Sequence, residues 1–110
     1  MDAPRAGEVL TAASFATALR STFQPEAAKG LRASVEVRLG DVIAHAHIDD
    51  GVITVGTGAM SEPDLTIESG PGIRAIMAGE VTAKEALKRG MARVSGDAKL
   101  FERFCQVFRI

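Results

Sequence analysis

The stretch RLGDVIAHAHIDDGVITV, residues 38–55, alternates apolar and polar side chains on both sides of two turn signals. Gly40-Asp41 and Asp50-Gly51 are residue pairs typical of two-residue hairpin turns. Alternation with a period of two indicates strands with one buried face. The stretch therefore predicts two hairpins that share a central strand. The side chains expected to point inward from that strand are Val42, Ala44, Ala46 and Ile48.

The pattern extends upstream of the hairpins. Val35, Val37 and Leu39 alternate with charged residues, which predicts a preceding strand and completes a three-stranded antiparallel meander. Before it, the spacing of apolar residues changes to three and four over residues 11–23, which predicts an amphipathic helix. That helix should end before Pro25 and Gly30. Its apolar positions are Ala12, Phe15, Ala16, Leu19 and Phe23.

Downstream, residues 56–63 follow neither period and are interpreted as a loop that crosses to a fourth strand at residues 64–69. Gly70 as N-cap and Pro71 at the first helical position then predict a short helix that closes at Gly79. Its apolar residues are Ile73, Ile76 and Met77.

Residues 79–97 contain two helix stops and a start signal. Thr82 and Glu85 have the spacing of a capping box, and Gly90 supplies the stop after that helix. A fifth strand is expected at residues 91–95, with Ala92 and Val94 inward. Asp97 should cap the last helix, whose apolar stripe is Leu100, Phe101, Phe104, Cys105, Val107 and Phe108.

Composition narrows the classes of function. The chain has 110 residues, 46% of them hydrophobic and 25% charged, which is typical of one globular domain. A net charge of -1 gives no reason to expect direct nucleic-acid binding. No run is long and apolar enough for a membrane span, and residues 1–10 lack the apolar core of a signal peptide. One cysteine excludes an internal disulfide, so we expect a cytoplasmic protein.

No residue pattern points to catalysis. His45 and His47 share one strand face, but they oppose the apolar face and lack further ligands, so we expect no metal site. Cys105 lies in an apolar stripe, which favours a buried thiol over a nucleophile. The charged residues Glu36, Arg38, Asp49 and Asp50 are interpreted as strand-surface and turn residues. We expect no enzyme activity and no cofactor.

One contrast in side-chain size leaves two alternatives open. The inward positions Ala44, Ala46 and Ala92 are small, whereas all five phenylalanines lie on the first and last helices. Small residues facing large ones can mean helices packed closely on the sheet, or space for a ligand. An empty cavity of about 300 Å3 would cost on the order of 7 kcal/mol, so such a pocket must be filled, wet, or closed when empty.

Residues 63–108, PDLTIESGPGIRAIMAGEVTAKEALKRGMARVSGDAKLFERFCQVF, resemble the sterol-carrier-protein (SCP2-like) family. The upstream helix and meander fit the order of that family, so the likeness covers about residues 11–108. RLGDVIAHAHIDDGVITV is more similar to bacterial versions than to eukaryotic sterol carriers. The matching residues are Asp64, Thr66, Gly79, Ala86, Gly90, Gly96 and Asp97.

The resemblance implies an α+β fold, with a five-stranded mixed sheet covered on one face by helices, as one domain over residues 1–110. It also implies non-catalytic binding of a fatty acid, a sterol-like lipid or another apolar molecule between sheet and helices. An alternative is a regulatory or dimerisation domain that is associated with a bacterial winged-helix regulator. Such a domain could form a homodimer. The expected lining residues are Met60, Ile73, Ile76, Met77, Phe101, Phe104 and Phe108.

Overall fold

The computed structural model describes residues 11–110, so the expectation that residues 1–10 contain no signal peptide lies outside the described residues. Helices and strands follow one another in the order expected from the sequence. The elements are α1 (Ala12–Thr22), β1 (Arg32–Leu39), β2 (Val42–Asp49), β3 (Val52–Thr57), β4 (Leu65–Ser69), α2 (Ile73–Met77), α3 (Ala83–Lys88), β5 (Ala92–Gly96) and α4 (Ala98–Val107).

The strands form one five-stranded mixed sheet in the order β3-β2-β1-β4-β5. β1, β2 and β3 pair as the antiparallel meander expected from the two hairpin signals. β4 pairs parallel to β1, and β5 pairs antiparallel to β4. Because β3 and β4 lie on opposite sides of β1, the chain between them must cross the sheet. This arrangement confirms the predicted α+β fold with a mixed sheet.

The core lies on the face of the sheet that the helices cover. α1 packs across β2 and β3, whereas α4 lies against β4 and β5 and also contacts α3. Nine inward strand residues are fully or almost fully buried, as alternation predicts, while inward positions near the sheet edges, such as Val55 and Val94, are half-buried. The nine are Ala33, Val35, Val37, Ala44, Ala46, Ile48, Leu65, Ile67 and Ala92. We call this helix-covered side the inner face and the opposite side the outer face.

Side-chain caps fix most helix starts where the sequence predicts them. The Thr82–Glu85 capping box is present, with the Glu85 backbone N–H donating to Thr82 Oγ1 at 3.0 Å. Asp97 Oδ1 accepts from the Lys99 backbone N–H at 2.9 Å and starts α4. Each cap satisfies a backbone donor that the first helical turn leaves unpaired.

The start of α2 differs from the prediction. The helix begins at Ile73 and not at Pro71. The Ile73 N–H donates to the Gly70 carbonyl at 3.0 Å, which is the three-residue spacing of a tight turn. The first bond with helical spacing runs from Ile76 to Gly72. Pro71 therefore lies in a turn that leads into the helix.

Among residues 11–110, no helix has the length and apolarity required to cross a bilayer.

Candidate functional site

The apolar layer between sheet and helices contains six of the seven residues expected to line a ligand site. All six belong to one contiguous buried cluster and are at most 7% exposed: Ile73, Ile76, Met77, Phe101, Phe104 and Phe108. The Phe104 ring lies 4.9 Å from the Phe108 ring and 6.4 Å from the Phe101 ring, centroid to centroid. The three aromatic rings of α4 and its C-cap therefore fill the centre of the layer.

Small residues on the sheet allow the helices to approach closely. Ala44 is 0% exposed and Ala46 is 1% exposed, and both lie on β2, which α1 covers. None of the six lining candidates borders either of the two cavities described below. In this structure the sheet and helices are thus packed closely. This is the arrangement that a ligand-free layer should adopt, since an apolar void of ligand size would be costly.

Met60 lies apart from the other six candidates. It belongs to the segment at residues 58–64 that connects β3 to β4 across the outer face. Its backbone N–H donates to Glu36 Oε1 at 2.9 Å, and Glu36 points away from the core. The half-buried Met60 is not part of the apolar cluster. The structure therefore separates Met60 from the helix residues by the thickness of the sheet.

Glu36 corrects one interpretation made from the sequence. We expected a surface residue, but its side chain is only 3% exposed because the crossing segment covers it. It forms an ion pair with Arg38. Burial by itself would raise the pKa of Glu36. The hydrogen bond from the Met60 N–H and the hydrogen bond and positive charge of Arg38 have the opposite effect. Together they outweigh burial, so the pKa of Glu36 is lowered. Glu36 is therefore charged, and it holds the crossing segment through Met60. We call Glu36 with its bonds to Met60 and Arg38 the charged clasp.

The two histidines lie on the outer face, as expected. His45 Nδ1 is 2.9 Å from the Gly58 carbonyl, which can only accept, so this nitrogen donates. His47 Nδ1 is 2.9 Å from the Ser34 hydroxyl. His45 thus holds the start of the crossing segment, next to the Glu36 clasp. Within residues 11–110, no group of three or more histidine, cysteine or acidic side chains has the geometry to hold a metal ion.

A half-open cleft of about 340 Å3 lies where α3 meets the last turns of α4. Its walls combine apolar and polar side chains, and its floor includes the buried residues Ala83 and Cys105. This cleft has no signature in the sequence. Gly79 and Arg109, which meet there, are thirty positions apart in the sequence, so no local pattern connects them. The residues around the cleft are Gly79, Val81, Thr82, Ala83, Glu102, Cys105, Gln106 and Arg109. We call it the α3–α4 cleft.

A smaller depression of about 220 Å3 lies where β4 ends and β5 begins. It is open and mostly polar, with the charged residues Glu68 and Arg93 at its rim. Of the residues that line this depression, only the half-buried Met91 packs against the apolar cluster. The α3–α4 cleft is therefore the better candidate for a path into the core.

Cys105 is expected to be unreactive in the folded protein. Its side chain is 7% exposed, and burial raises the pKa of the thiol to about 11. The thiolate fraction near neutral pH is then below about one in a thousand, and the thiolate is the reactive form. Mass spectrometry should show slow alkylation by N-ethylmaleimide in buffer and rapid alkylation in denaturant. Equal rates in the two conditions would contradict the buried position.

Comparison with solved structures identifies the fold. Over 87% of this chain and 90% of the other, it matches the UbiJ-SCP2 ubiquinone synthesis protein with a TM-score of 0.66 and 11% identity. Over 90% of this chain and 92% of the other, it matches palmitated SCP2L2 from Aedes aegypti with a TM-score of 0.57 and 20% identity. These matches confirm the predicted sterol-carrier-protein fold.

A further match is to part of a larger protein. The stereoselective inverting sec-alkylsulfatase Pisa1 from Pseudomonas sp. matches 94% of this chain with a TM-score of 0.79 and 22% identity. This chain spans only 17% of the sulfatase. Models of known protein families and curated protein sequences give no significant match.

Proposed function

We propose that this chain, which has the sterol-carrier-protein fold, binds a lipid or another apolar small molecule between its sheet and helices without transforming it. The observation that carries the proposal is the match of 87–90% of the chain to SCP2 structures, one of which is described as palmitated. The proposed site is the inner-face layer. Its proposed lining residues are Ile73, Ile76, Met77, Phe101, Phe104 and Phe108, while Met60 lies across the sheet.

The layer suits an apolar guest because of its composition. Its side chains are aromatic or aliphatic, and Met77 adds a flexible thioether that can adapt to a ligand. Small-molecule sites are mainly apolar with a few polar groups that fix orientation. The closed packing means that a guest must displace side chains when it enters. The free energy for that displacement comes from burial of the guest, about 0.8 kcal/mol for each CH2 group.

Two measurements test the proposal. Denaturing extraction of freshly purified protein, followed by mass spectrometry, should release a lipid that is absent from an unrelated protein purified in the same way. Titration with the fluorescent fatty acid dansylaminoundecanoic acid should give a saturable signal. The background is low because the chain contains no Trp and no Tyr. Absence of both a copurified lipid and probe binding would refute a lipid-binding function.

A second candidate role comes from the sulfatase match, whose TM-score of 0.79 exceeds that of the two SCP2 structures described above. In this role the chain would hold the alkyl part of an alkyl sulfate for a separate catalytic domain. Octan-2-yl sulfate should then displace the fluorescent fatty acid, and this chain by itself should release no sulfate. Failure of the alkyl sulfate to compete would exclude this role while leaving fatty-acid binding intact.

A further inference from the structure

The floor of the α3–α4 cleft is continuous with the proposed lipid site. Ala83 and Cys105 form part of that floor, and both belong to the same buried cluster as Met77 and Phe104. Phe104 precedes Cys105 on α4, so the thiol and the aromatic ring lie on neighbouring positions of one helix. A molecule that entered at the cleft would therefore meet the apolar layer directly behind the floor.

The wall formed by α3 is weakly held compared with α4. α3 has six residues, and the only side chains it buries are the methyl groups of Ala83 and Ala86. Four large or medium side chains are buried along α4, including Phe101 and Phe104. Because buried apolar area is the main force that holds a helix on a core, α3 is the easier of the two to displace.

Two glycines in the left-handed conformation bracket α3. Gly79 has a φ of 77° and Gly90 a φ of 72°, values in the left-handed region that other residues rarely adopt. No atom would lie within 4 Å of a side chain at Gly90, so the conformation and not the space requires glycine there. In the lid motion proposed below, the segment between them, residues 80–89, turns at these two glycines as one unit.

Arg109 places a positive charge at the opening of the cleft. Its Nε donates to the Cys105 carbonyl at 3.2 Å, and its guanidinium lies so close over Gly79 that a side chain there would have to push it aside. Among residues 11–110, no carboxylate lies within 4.0 Å of this guanidinium, although Glu102 is also at the cleft. The terminal nitrogens of Arg109 can therefore bind an anion in the two-pronged geometry typical of arginine and carboxylates.

We propose that the α3–α4 cleft is the mouth of the lipid site, that α3 is its lid, and that Arg109 binds the anionic head group of a single-chain amphiphile such as a fatty acid. The proposal rests on the proposed function, because it assumes that the inner-face layer takes an alkyl chain. It adds the path by which the alkyl chain enters the site and the charge of the head group.

The head group is tested by comparing a fatty acid with its neutral ester. Arg109→Gln should weaken binding of dansylaminoundecanoic acid by about tenfold or more, because one charge-assisted pair is lost. The same variant should bind the methyl ester of the probe as tightly as the unchanged protein does. Arg20→Gln, which removes an exposed charge from α1, is the matched control and should leave both affinities unchanged. Circular dichroism should show that both variants are folded.

The mouth is tested without any substitution, since Cys105 is the only cysteine and lies in the floor. Dodecanoate at about ten times its dissociation constant should slow alkylation of Cys105 by N-ethylmaleimide about tenfold, because the unliganded open form becomes that much rarer. Mass spectrometry of the intact protein measures the rate.

The outcomes separate this proposal from the proposed function. If the acid probe binds to the unchanged protein and equally well to Arg109→Gln, Arg109 does not bind the head group and the inference is wrong. If the acid binds but dodecanoate leaves the alkylation rate of Cys105 unchanged, the mouth lies elsewhere and the inference is also wrong. In both cases lipid binding itself stands. If neither the acid nor the ester binds, the proposed function fails and the inference fails with it.

Discussion

Replacing Phe104 with alanine is expected to lower the free energy of unfolding by about 4 kcal/mol. The ring is 2% exposed and lies between Phe101 and Phe108 in the centre of the inner-face layer. Its removal loses the transfer free energy of the ring and leaves a cavity that the neighbouring rings can fill only in part. Urea denaturation followed by circular dichroism measures the loss, because the chain lacks Trp and Tyr for fluorescence.

Leu100→Ala is the matched control for this substitution. Leu100 lies on the same helix but is only half-buried at the edge of the cluster, so the expected loss is about 1–2 kcal/mol. A loss below about 1 kcal/mol for Phe104→Ala would show that the ring does not fill the layer. Saturating dodecanoate should return more stability to Phe104→Ala than to the unchanged protein, since an alkyl chain can occupy the new cavity.

Replacing Glu36 with alanine is expected to lower the free energy of unfolding by about 2 kcal/mol near neutral pH. The substitution removes the acceptor for the Met60 N–H and the partner of Arg38 under the crossing segment. The loss should be smaller than for a fully buried ion pair, because the Arg38 side chain is 43% exposed and can turn to water. Glu68→Ala removes an exposed carboxylate from the same outer face and should change stability by less than about 0.5 kcal/mol.

The contribution of Glu36 should depend on pH in a defined direction. Its pKa is lower in the folded protein than the usual 4.5, so the unfolded chain binds the proton more readily. The stabilisation is therefore complete above the unfolded pKa and is lost as the pH falls through the lower folded value. The stability difference between the unchanged protein and Glu36→Gln should be constant from neutral pH down to about 5 and then shrink. A difference that grows on acidification would contradict the charged clasp.

The elements that the sequence predicts well are those with local physical causes. Asp50-Gly51 forces a turn between β2 and β3, and Thr82 with Glu85 satisfies the first backbone donors of α3 without help from distant residues. The alternation in β2 likewise separates Ala44 from His45 on opposite faces. Such signals depend only on neighbours in the sequence.

The features that the sequence did not predict depend on contacts between distant residues. Glu36 occupies a polar position in an alternating strand, and its burial comes from a segment more than twenty positions later, which the strand pattern does not include. Met60 has the flexible apolar side chain expected of a lining residue, but the face on which the crossing segment runs is a property of topology. The α3–α4 cleft is missed for the same reason, since Gly79 and Arg109 meet only in the folded chain.

The parallel pairing of β1 with β4 has a consequence for synthesis of the protein on the ribosome. The meander is complete once residue 57 has emerged, but the neighbour that β1 requires on its other side begins only at Leu65. Until then β1, which is the middle strand of the finished sheet, is an open edge with unpaired backbone groups. Open edges of apolar strands recruit strands from other chains. The nascent chain thus passes through an interval of aggregation hazard in which the future centre of the sheet is an open edge, and β4 closes that edge when it docks.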